Sequence, residues 1–337
     1  MQLFVHTFNL ELKHTFKITH ESRDSQPTLI VELRDGAFVG YGEATATRYY
    51  GLDVFEMKKT LLDLKDLIEA TPLDTPEAFW ATMAPHLEGH TFEQCALDVA
   101  AHDLYAKKQG KPLYRLWGLQ LKDLPISNYT LGMASVEETV RKIKEMPWPL
   151  YKIKLGGDND LNTVRALRKH TDAVFRVDAN TGWTADQTIR LAPAFKELGV
   201  EFIEQPLPVE ALEQMKVVRK ESVLPIVADE SCQVESDISK CAGYFHVVNI
   251  KLMKCGGLTP ARRMIAQARS LGLKVMVGCM TESSIGISAI GHLLPLLDYV
   301  DMDGALLLKE DIAAGVEVLP DGYRFPNRNG TGAVLKV

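Results

Sequence analysis

Several groupings that mark large protein classes are missing from this sequence. The five cysteines, Cys95, Cys232, Cys241, Cys255 and Cys279, are odd in number and form no CxxC, so neither a disulfide framework nor a thiolate metal site is indicated. A reducing, cytoplasmic compartment fits that usage. The nine histidines make neither HxH nor HExxH, which argues against zinc. No apolar run is long enough to span a bilayer. The opening MQLFVHTFNLELKH alternates apolar and polar residues, so a soluble chain without a cleaved leader is expected. There is no basic block: 38 Lys and Arg are interspersed with 44 Asp and Glu, for a net charge of −6. That balance speaks against nucleic acid or an anionic membrane as partner. Gly256-Gly257 lacks a GxGxxG or Walker frame and reads as a strand–helix turn rather than a phosphate cradle.

What is present is an ordinary globular composition in 337 residues, enough for a full core. Residues 2 to about 45 read as a β-meander, with runs at Leu3–Leu12, Thr28–Leu33 and Phe38–Gly42 and a turn at Asp35-Gly36. Between the first two runs, Thr19–Pro27 reads as a polar loop. Asp53 with Glu56 opens a helix whose apolar face continues through Met57, Leu61, Leu64 and Ile68. Thr91 and Gln94 open another that ends near Gln109, before Gly110 and Pro112. Residues 1–123 are therefore expected to form an α+β unit.

From about Leu124 the pattern changes to eight short strands alternating with helices: ISNYTLG, YKIKLG, FRVDAN, EFIEQP, PIVADE, VVNIKL, KVMVGC and DYVDMDG. Ser135 with Glu138, Thr184 with Gln187, and Thr259-Pro260 mark helix starts, and Gly199 and Gly272 mark helix ends. Such alternation implies a parallel sheet, and eight units imply a closed barrel over residues 124–308. The Pro- and Gly-rich tail, 309–337, is expected to return to the first unit.

Five strand ends carry polar residues: Lys152 and Lys154, Asp178, Glu204, Asp229 and Lys251. The offsets 178−154 = 24, 204−178 = 26, 229−204 = 25 and 251−229 = 22 match one strand–helix unit each. In a barrel these residues share the carboxyl-terminal rim, where active sites are built. Three carboxylates converging from adjacent strands repel unless a cation joins them, and an all-oxygen set selects a hard one. Three separate strand ends suit an open octahedral Mg²⁺ site better than a wrapped Ca²⁺ site. The competing reading, solvated rim carboxylates paired with lysines, accounts for a single Asp better than for three at constant period. Lys154 and Lys251 flank the acids in strand order and should face one another across the mouth. Lys152, two residues from Lys154 and on the same side of the strand, would ease loss of its proton. Two opposed bases around a metal suit abstraction of a proton α to a carboxylate: the metal steadies an enediolate, and a base on each face leads to inversion. The alternative is that these lysines are plain ion-pair partners. Asp301 and Asp303, two apart on the last strand, would make a socket for a substrate ammonium; helix capping is the other reading. Trp117 and Trp183 read as packing residues.

These motifs together, K-x-K at Lys152–Lys154, DAN at Asp178, EQP at Glu204, ADE at Asp229 and NIK at Lys251, resemble the enolase superfamily in its muconate-lactonizing subgroup. CALDVAAHDLYAKKQGKPLYRLWG is similar to the helix that precedes the barrel in that subgroup. The resemblance implies a modified TIM barrel, (β/α)7β, under an α+β amino-terminal capping domain completed by the tail, with one Mg²⁺ per subunit. It also implies capping loops that help set specificity, here Thr19–Gln26 and roughly Thr47–Asp53. The aspartate pair on the last strand resembles the dipeptide epimerases, in which it binds the dipeptide's amino terminus. Carried over from that family are Thr130 at the end of the first barrel strand and Cys279 and Met280 at the seventh. Where Ala-Glu epimerases carry an arginine in the first capping loop, this chain has Glu21, with Arg23 and Asp24 nearby. The expectation is therefore a Mg²⁺-dependent dipeptide epimerase acting on Ala-Ala or Ala-hydrophobic dipeptides rather than strictly Ala-Glu. An o-succinylbenzoate synthase or cycloisomerase of the same subgroup would use the same metal and lysines, but its substrates have no ammonium for Asp301 and Asp303. A Schiff-base aldolase would not need three metal carboxylates, and the lysine pair argues against a non-catalytic barrel. A homo-oligomer is compatible with this pattern.

Overall fold

Alternating apolar residues carry the start of the chain into an antiparallel sheet of β1 (Gln2–Lys17), β2 (Ser22–Asp35) and β3 (Phe38–Thr45), in that order, in a computed structural model that describes residues 1–18, 21–157 and 159–336. The expected loop over Thr19–Pro27 falls partly on Thr19 and His20, outside the described residues; of the rest, Glu21 lies outside any strand and Ser22–Pro27 is strand. Gln26 pairs with Leu10, Ser25 with Glu11, and, past a bulge, Arg23 with Phe16. Polarity misled the reading here, because a two-stranded ribbon needs only backbone pairing and has no apolar face to advertise it.

Helix α1 (Val54–Asp63) is capped as expected, the Asp53 carboxylate accepting from the N–H groups of Phe55 and Glu56. It stops at Leu64, and a separate α2 (Lys65–Ala70) follows where one continuous helix was predicted. Helix α3 (Pro76–Met83), capped by Thr75 with Pro76 in its first turn, was not predicted. Helix α4 (Thr91–Lys108) begins on Thr91 itself, so that residue is not the cap; His90 precedes it, and the His90 ring bonds the Glu93 carboxylate. Fourteen of its residues are buried, charged ones included, because the helix lies between the sheet and the barrel. Gly40 and Gly42 allow this approach: a Cβ at either would come within 2.2 Å or 2.0 Å of an α4 carbonyl oxygen. A short α5 (Leu113–Leu116) leads out of this unit.

All eight predicted barrel strands are present: β4 (Tyr129–Leu131), β5 (Leu150–Lys154), β6 (Val174–Asp178), β7 (Val200–Glu204), β8 (Ile226–Ala228), β9 (Val247–Lys251), β10 (Lys274–Gly278) and β11 (Tyr299–Asp301). They pair in parallel in sequence order, and a bridge between Ser127 and Val300 closes the ring. Between them run α6 (Val136–Glu145), α7 (Asp160–Arg168), α8 (Ala185–Glu197), α9 (Leu212–Glu221), α10 (Glu235–Cys241), α11 (Leu252–Cys255), α12 (Leu258–Ser270) and α13 (Ser284–Gly291). Ser135 and Thr184 cap α6 and α8 as expected, and Gly199 and Gly272 follow helix ends with φ of 75° and 73°. Thr259 is not a cap: α12 starts one residue earlier, and Thr259 bonds to the α4 residue Asp98 instead. No helix among the described residues is long and apolar enough to cross a membrane.

Residues toward the carboxyl end contact the amino-terminal unit. Leu308 bridges Leu12, the Lys309 N–H donates to the Glu11 carbonyl at 2.8 Å, and the Thr331 N–H donates to Asp103 of α4 at 2.8 Å. Strand register then sets the site. Lys154 lies opposite Asp178 and Asp178 opposite Glu204, while Lys251 and Asp301 both lie opposite Gly278, so these side chains leave the barrel near one level.

Candidate active site

One carboxylate oxygen from each of Asp178, Glu204 and Asp229 lies within 4.8 Å of the others, and all three residues are buried. They occupy the ends of the third, fourth and fifth barrel strands. Burial raises the Glu204 carboxyl, and the charges of Asp178 and Asp229 push it further up. Burial acts on Asp178 and Asp229 in the same sense, but adjacent lysines overcome it and hold both below the usual carboxylate range. The donor set contains no histidine or thiolate, converges from rigid strand ends and carries excess negative charge. It fits a small hard divalent cation such as Mg²⁺.

Four lysines surround these carboxylates. Lys152 is almost completely buried, with its ammonium 2.8 Å from Glu204, 2.8 Å from Asp301 and 3.1 Å from Asp178. Burial opposes its charge, yet Asp301, Glu204 and Asp178 together hold its proton well above the usual lysine range. Lys152, expected from sequence both to tune Lys154 and to bind substrate, thus sits between the three carboxylates and the last strand. Lys154 donates to Asp178 Oδ2 at 2.6 Å and Lys251 to Asp229 Oδ2 at 2.8 Å. They stand on the second and sixth of eight strands, half a ring apart, and both line the cavity at the barrel mouth. Burial opposes the Lys251 charge, but Asp229 more than compensates and raises its proton affinity.

The fourth is Lys254, which sequence reasoning missed. Its side chain is wholly buried, and its Nζ donates to Asp229 Oδ1 at 2.6 Å and also to the Asp229 main-chain carbonyl. The available signal was its place in KLMK, one helical turn after Lys251. Also missed were Asn128, whose amide donates to Asp301 at 2.7 Å, Asn249, which donates to Glu204 at 2.8 Å, and Glu230. Burial and the neighbouring Asp229 and Asp178 push the Glu230 carboxyl up to about 7. Asn128 lies two residues before Thr130 and Asn249 two before Lys251, so strand alternation could have found both.

On the last strand, Asp301 accepts from Lys152 and Asn128, and the Thr130 N–H donates to Asp303 at 2.5 Å. Burial and the neighbouring Asp301 raise the Asp303 carboxyl well above its ordinary range. An ammonium delivered to this pair would relieve both effects. Cys279 and Met280 line the same cavity, as do Thr130, Asp301 and Asp303.

The capping unit supplies the roof, with Phe16, Ile18, Glu21 and Arg23 from the ribbon and Thr47, Tyr49 and Tyr50 from the turn after β3. Arg23 is largely buried; it pairs with Glu21 at 3.3 Å and donates to Thr281 Oγ1 at 3.1 Å. Asp24 does not join them. Successive strand residues point to opposite faces, and Asp24 is exposed, accepting from Thr15 Oγ1 at 2.5 Å. Trp183 is a packing residue, stacked on Phe195 with its Nε1–H donating to Asp160 at 2.7 Å.

Comparison with known proteins agrees with this architecture. Residues 1–118 match the mandelate racemase / muconate lactonizing enzyme amino-terminal domain, and residues 135–336 match the enolase C-terminal domain-like family. The chain is 54% identical over 335 residues to an L-Ala-D/L-amino acid epimerase of Flavobacterium johnsoniae, covering 99% of this chain and 100% of that one. It is 55% identical to another L-Ala-D/L-amino acid epimerase, from a Maribacter species, with 99% of each chain covered. Among solved structures it superposes on a dipeptide epimerase from Methylococcus capsulatus, complexed with Mg and the dipeptide L-Arg-D-Lys, with a TM-score of 0.91 and 33% identity, covering 99% of both chains. Sequence motifs, barrel and carboxylate cluster thus lead to one assignment: the chain belongs to the mandelate racemase / muconate lactonizing enzyme family of the enolase superfamily.

Proposed function

We propose that this protein is a Mg²⁺-dependent dipeptide epimerase that inverts the α-carbon next to the dipeptide's carboxylate by 1,1-proton transfer. The observation that carries this reading is the placement of Lys154 and Lys251 half a ring apart on either side of the Asp178, Glu204 and Asp229 cluster. Those three carboxylates would hold the cation, which supplies positive charge to the substrate carboxylate as its α-proton leaves. One lysine takes the proton from its face of the carbon, and the other returns one from the opposite face. Each lysine contacts one of these carboxylates, Lys154 at Asp178 Oδ2 and Lys251 at Asp229 Oδ2. Where the cation takes up the Asp229 charge, Lys251 loses the partner favouring its charged form and becomes a better base. Lys152 stays among Asp178, Glu204 and Asp301 and balances their charge.

Asp301 and Asp303 receive the dipeptide's ammonium, with Asn128 and Thr130 fixing their orientation. Lys152 already balances Asp301, so a substrate lacking an ammonium brings no charge to the second member of this buried pair, Asp303, which disfavours the synthase and cycloisomerase reading. The second side chain extends toward the roof. There Arg23, the ribbon cation that lines the cavity, is already engaged by Glu21, while Phe16, Ile18, Met280 and Leu307 give apolar surface. This supports Ala-Ala and Ala-hydrophobic dipeptides over Ala-Glu. The five cysteines are free thiols, in keeping with a cytoplasmic enzyme. The test is α-proton exchange over a dipeptide library in deuterated water, with Mg²⁺ present and after chelation. Exchange with both epimers of Ala-hydrophobic dipeptides, dependent on the cation, is expected. Turnover of L-Ala-L-Glu far above that of the neutral dipeptides would overturn the specificity, and net loss of water from a substrate without exchange would overturn the reaction.

A further inference from the structure

We infer that Lys254 is a positioning residue for the metal: it fixes Asp229 so that only Oδ2 is presented to the cation, and it leaves Lys251 as the group displaced from that oxygen. This rests on the reading of Asp178, Glu204 and Asp229 as metal ligands.

Two lysines divide Asp229 between them. Lys254 takes Oδ1 at 2.6 Å and the main-chain carbonyl of the same residue, while Lys251 takes Oδ2 at 2.8 Å. A cation donating to both the side chain and the main chain of one aspartate blocks rotation of its carboxylate and selects the oxygen left over. The two lysines differ in access. Lys251 lines the cavity, whereas the Lys254 side chain has no exposure and takes no part in the cavity wall. Lys254 can therefore not reach a substrate, and its only ionic partner among the described residues is Asp229.

Its own position is fixed from the capping unit. Lys254 lies on the single turn α11, which ends in Gly256 and Gly257 with φ of 94° and 118°. Trp80 of α3 donates to the Gly256 carbonyl at 3.0 Å, and a Cβ on Gly257 would lie 2.4 Å from the Asp98 carboxylate of α4. The turn is held between the two units and cannot drift away from Asp229.

The experiment is Mg²⁺ titration of the full chain by isothermal calorimetry, without substrate. Lys254→Met should weaken Mg²⁺ binding by about 10- to 100-fold, the usual effect of removing a group that orients a ligand. Lys251→Met should bind Mg²⁺ at least as tightly as the parent, because it removes the competitor for Oδ2. The opposite signs separate positioning from simple charge, since loss of either ammonium would strengthen cation binding if charge alone governed it. Should Lys254→Met fail to fold, Lys254→Arg carries the same test. It keeps the charge but cannot place one nitrogen on both Asp229 oxygens, so affinity should fall by a smaller factor. Mg²⁺ binding by the folded variant as tight as that of the parent overturns the inference. If the parent chain itself binds no Mg²⁺, the metal reading fails rather than the role of Lys254.

Discussion

Replacing the two bases one at a time gives the sharpest test of the mechanism. Lys154→Ala should abolish α-proton exchange from one epimer of a substrate dipeptide, and Lys251→Ala exchange from the other. A positioned general base contributes about 10²- to 10⁴-fold, so the face that loses its lysine should slow by roughly 3–5.5 kcal/mol of activation free energy. The structure indicates why the other face should survive. With Lys154 gone, Asp178 keeps Lys152 at 3.1 Å, and with Lys251 gone, Asp229 keeps Lys254 at 2.6 Å. Each metal carboxylate thus retains one ammonium, and the cluster is not left with an unbalanced buried charge. Exchange at the remaining face should fall by no more than about tenfold, equivalent to about 1.4 kcal/mol. The assay is loss of the α-proton signal in deuterated water, followed by NMR separately for the L,L and L,D dipeptides. If both variants lose exchange with both epimers to the same extent, the two lysines act as a unit on one face and the two-base account is wrong.

Three further outcomes follow from the same geometry. Glu21→Arg should remove the partner of Arg23 and add a second cation at the roof. The ratio of kcat/KM for L-Ala-L-Glu to that for L-Ala-L-Leu should rise by about tenfold or more, since a charge-assisted bond contributes about 1.5–3 kcal/mol; an unchanged ratio would remove Glu21 from specificity. Burial lowers the His292 pKa to about 4, with Nδ1 accepting from the Tyr114 N–H and Nε2 bonded to the Thr331 carbonyl. Below pH 6.5 the unfolded chain binds a proton there that the folded chain refuses, so this contribution to stability is intact at pH 7 and declines as the pH falls toward 4. Its size at pH 5 is about 2 kcal/mol. His292→Asn should flatten the pH 7 to pH 5 difference in urea midpoint by a corresponding amount, and an identical slope in both proteins would contradict the assignment. Gly257→Ala forces a side chain into a glycine-only backbone region and against Asp98. It should cost roughly 3–5 kcal/mol, measured by urea unfolding, and a loss under 1 kcal/mol would show that the two units can separate there without penalty.

The barrel and its rim were legible because each strand is short, apolar and broken by a polar end at a fixed period, a pattern that local sequence carries fully. Asp178, Glu204, Asp229, Lys154 and Lys251 all sit at such ends. Lys254 was not legible: it lies off the strand, on a single helical turn, and its role depends on where Asp229 points. The ribbon was misread for a different reason. Ser22–Pro27 is strand by virtue of its pairing with β1, and nothing in its own side chains requires it. Strand alternation does separate Arg23 from Asp24, but only once that segment is known to be extended. Thr259 resembled a helix cap because a Thr-Pro pair often is one; a buried carboxylate more than 150 residues earlier in the chain claimed its hydroxyl and N–H instead.

The contacts between the two units also constrain the order in which the chain can finish folding. Glu43 is buried on β3 and accepts from the N–H groups of Ser283 and Gly286 and from the Ser283 hydroxyl. Asp98 depends on Thr259, and Asp103 on Thr331. Each carboxylate belongs to the first third of the sequence, and each partner to the last. A nascent chain that has made only the sheet and α4 still offers Lys107 and the Tyr41 N–H to Asp103 and the Thr28 hydroxyl to Glu43, but the hydrogen bonds to Asp98 come from Thr259, so Asp98 stays hydrated until that part of the barrel arrives. The inner face of α4 at Asp98 is therefore among the last parts to close, and truncation before Thr331 should be felt at Asp103 of the same helix, more than 200 residues away.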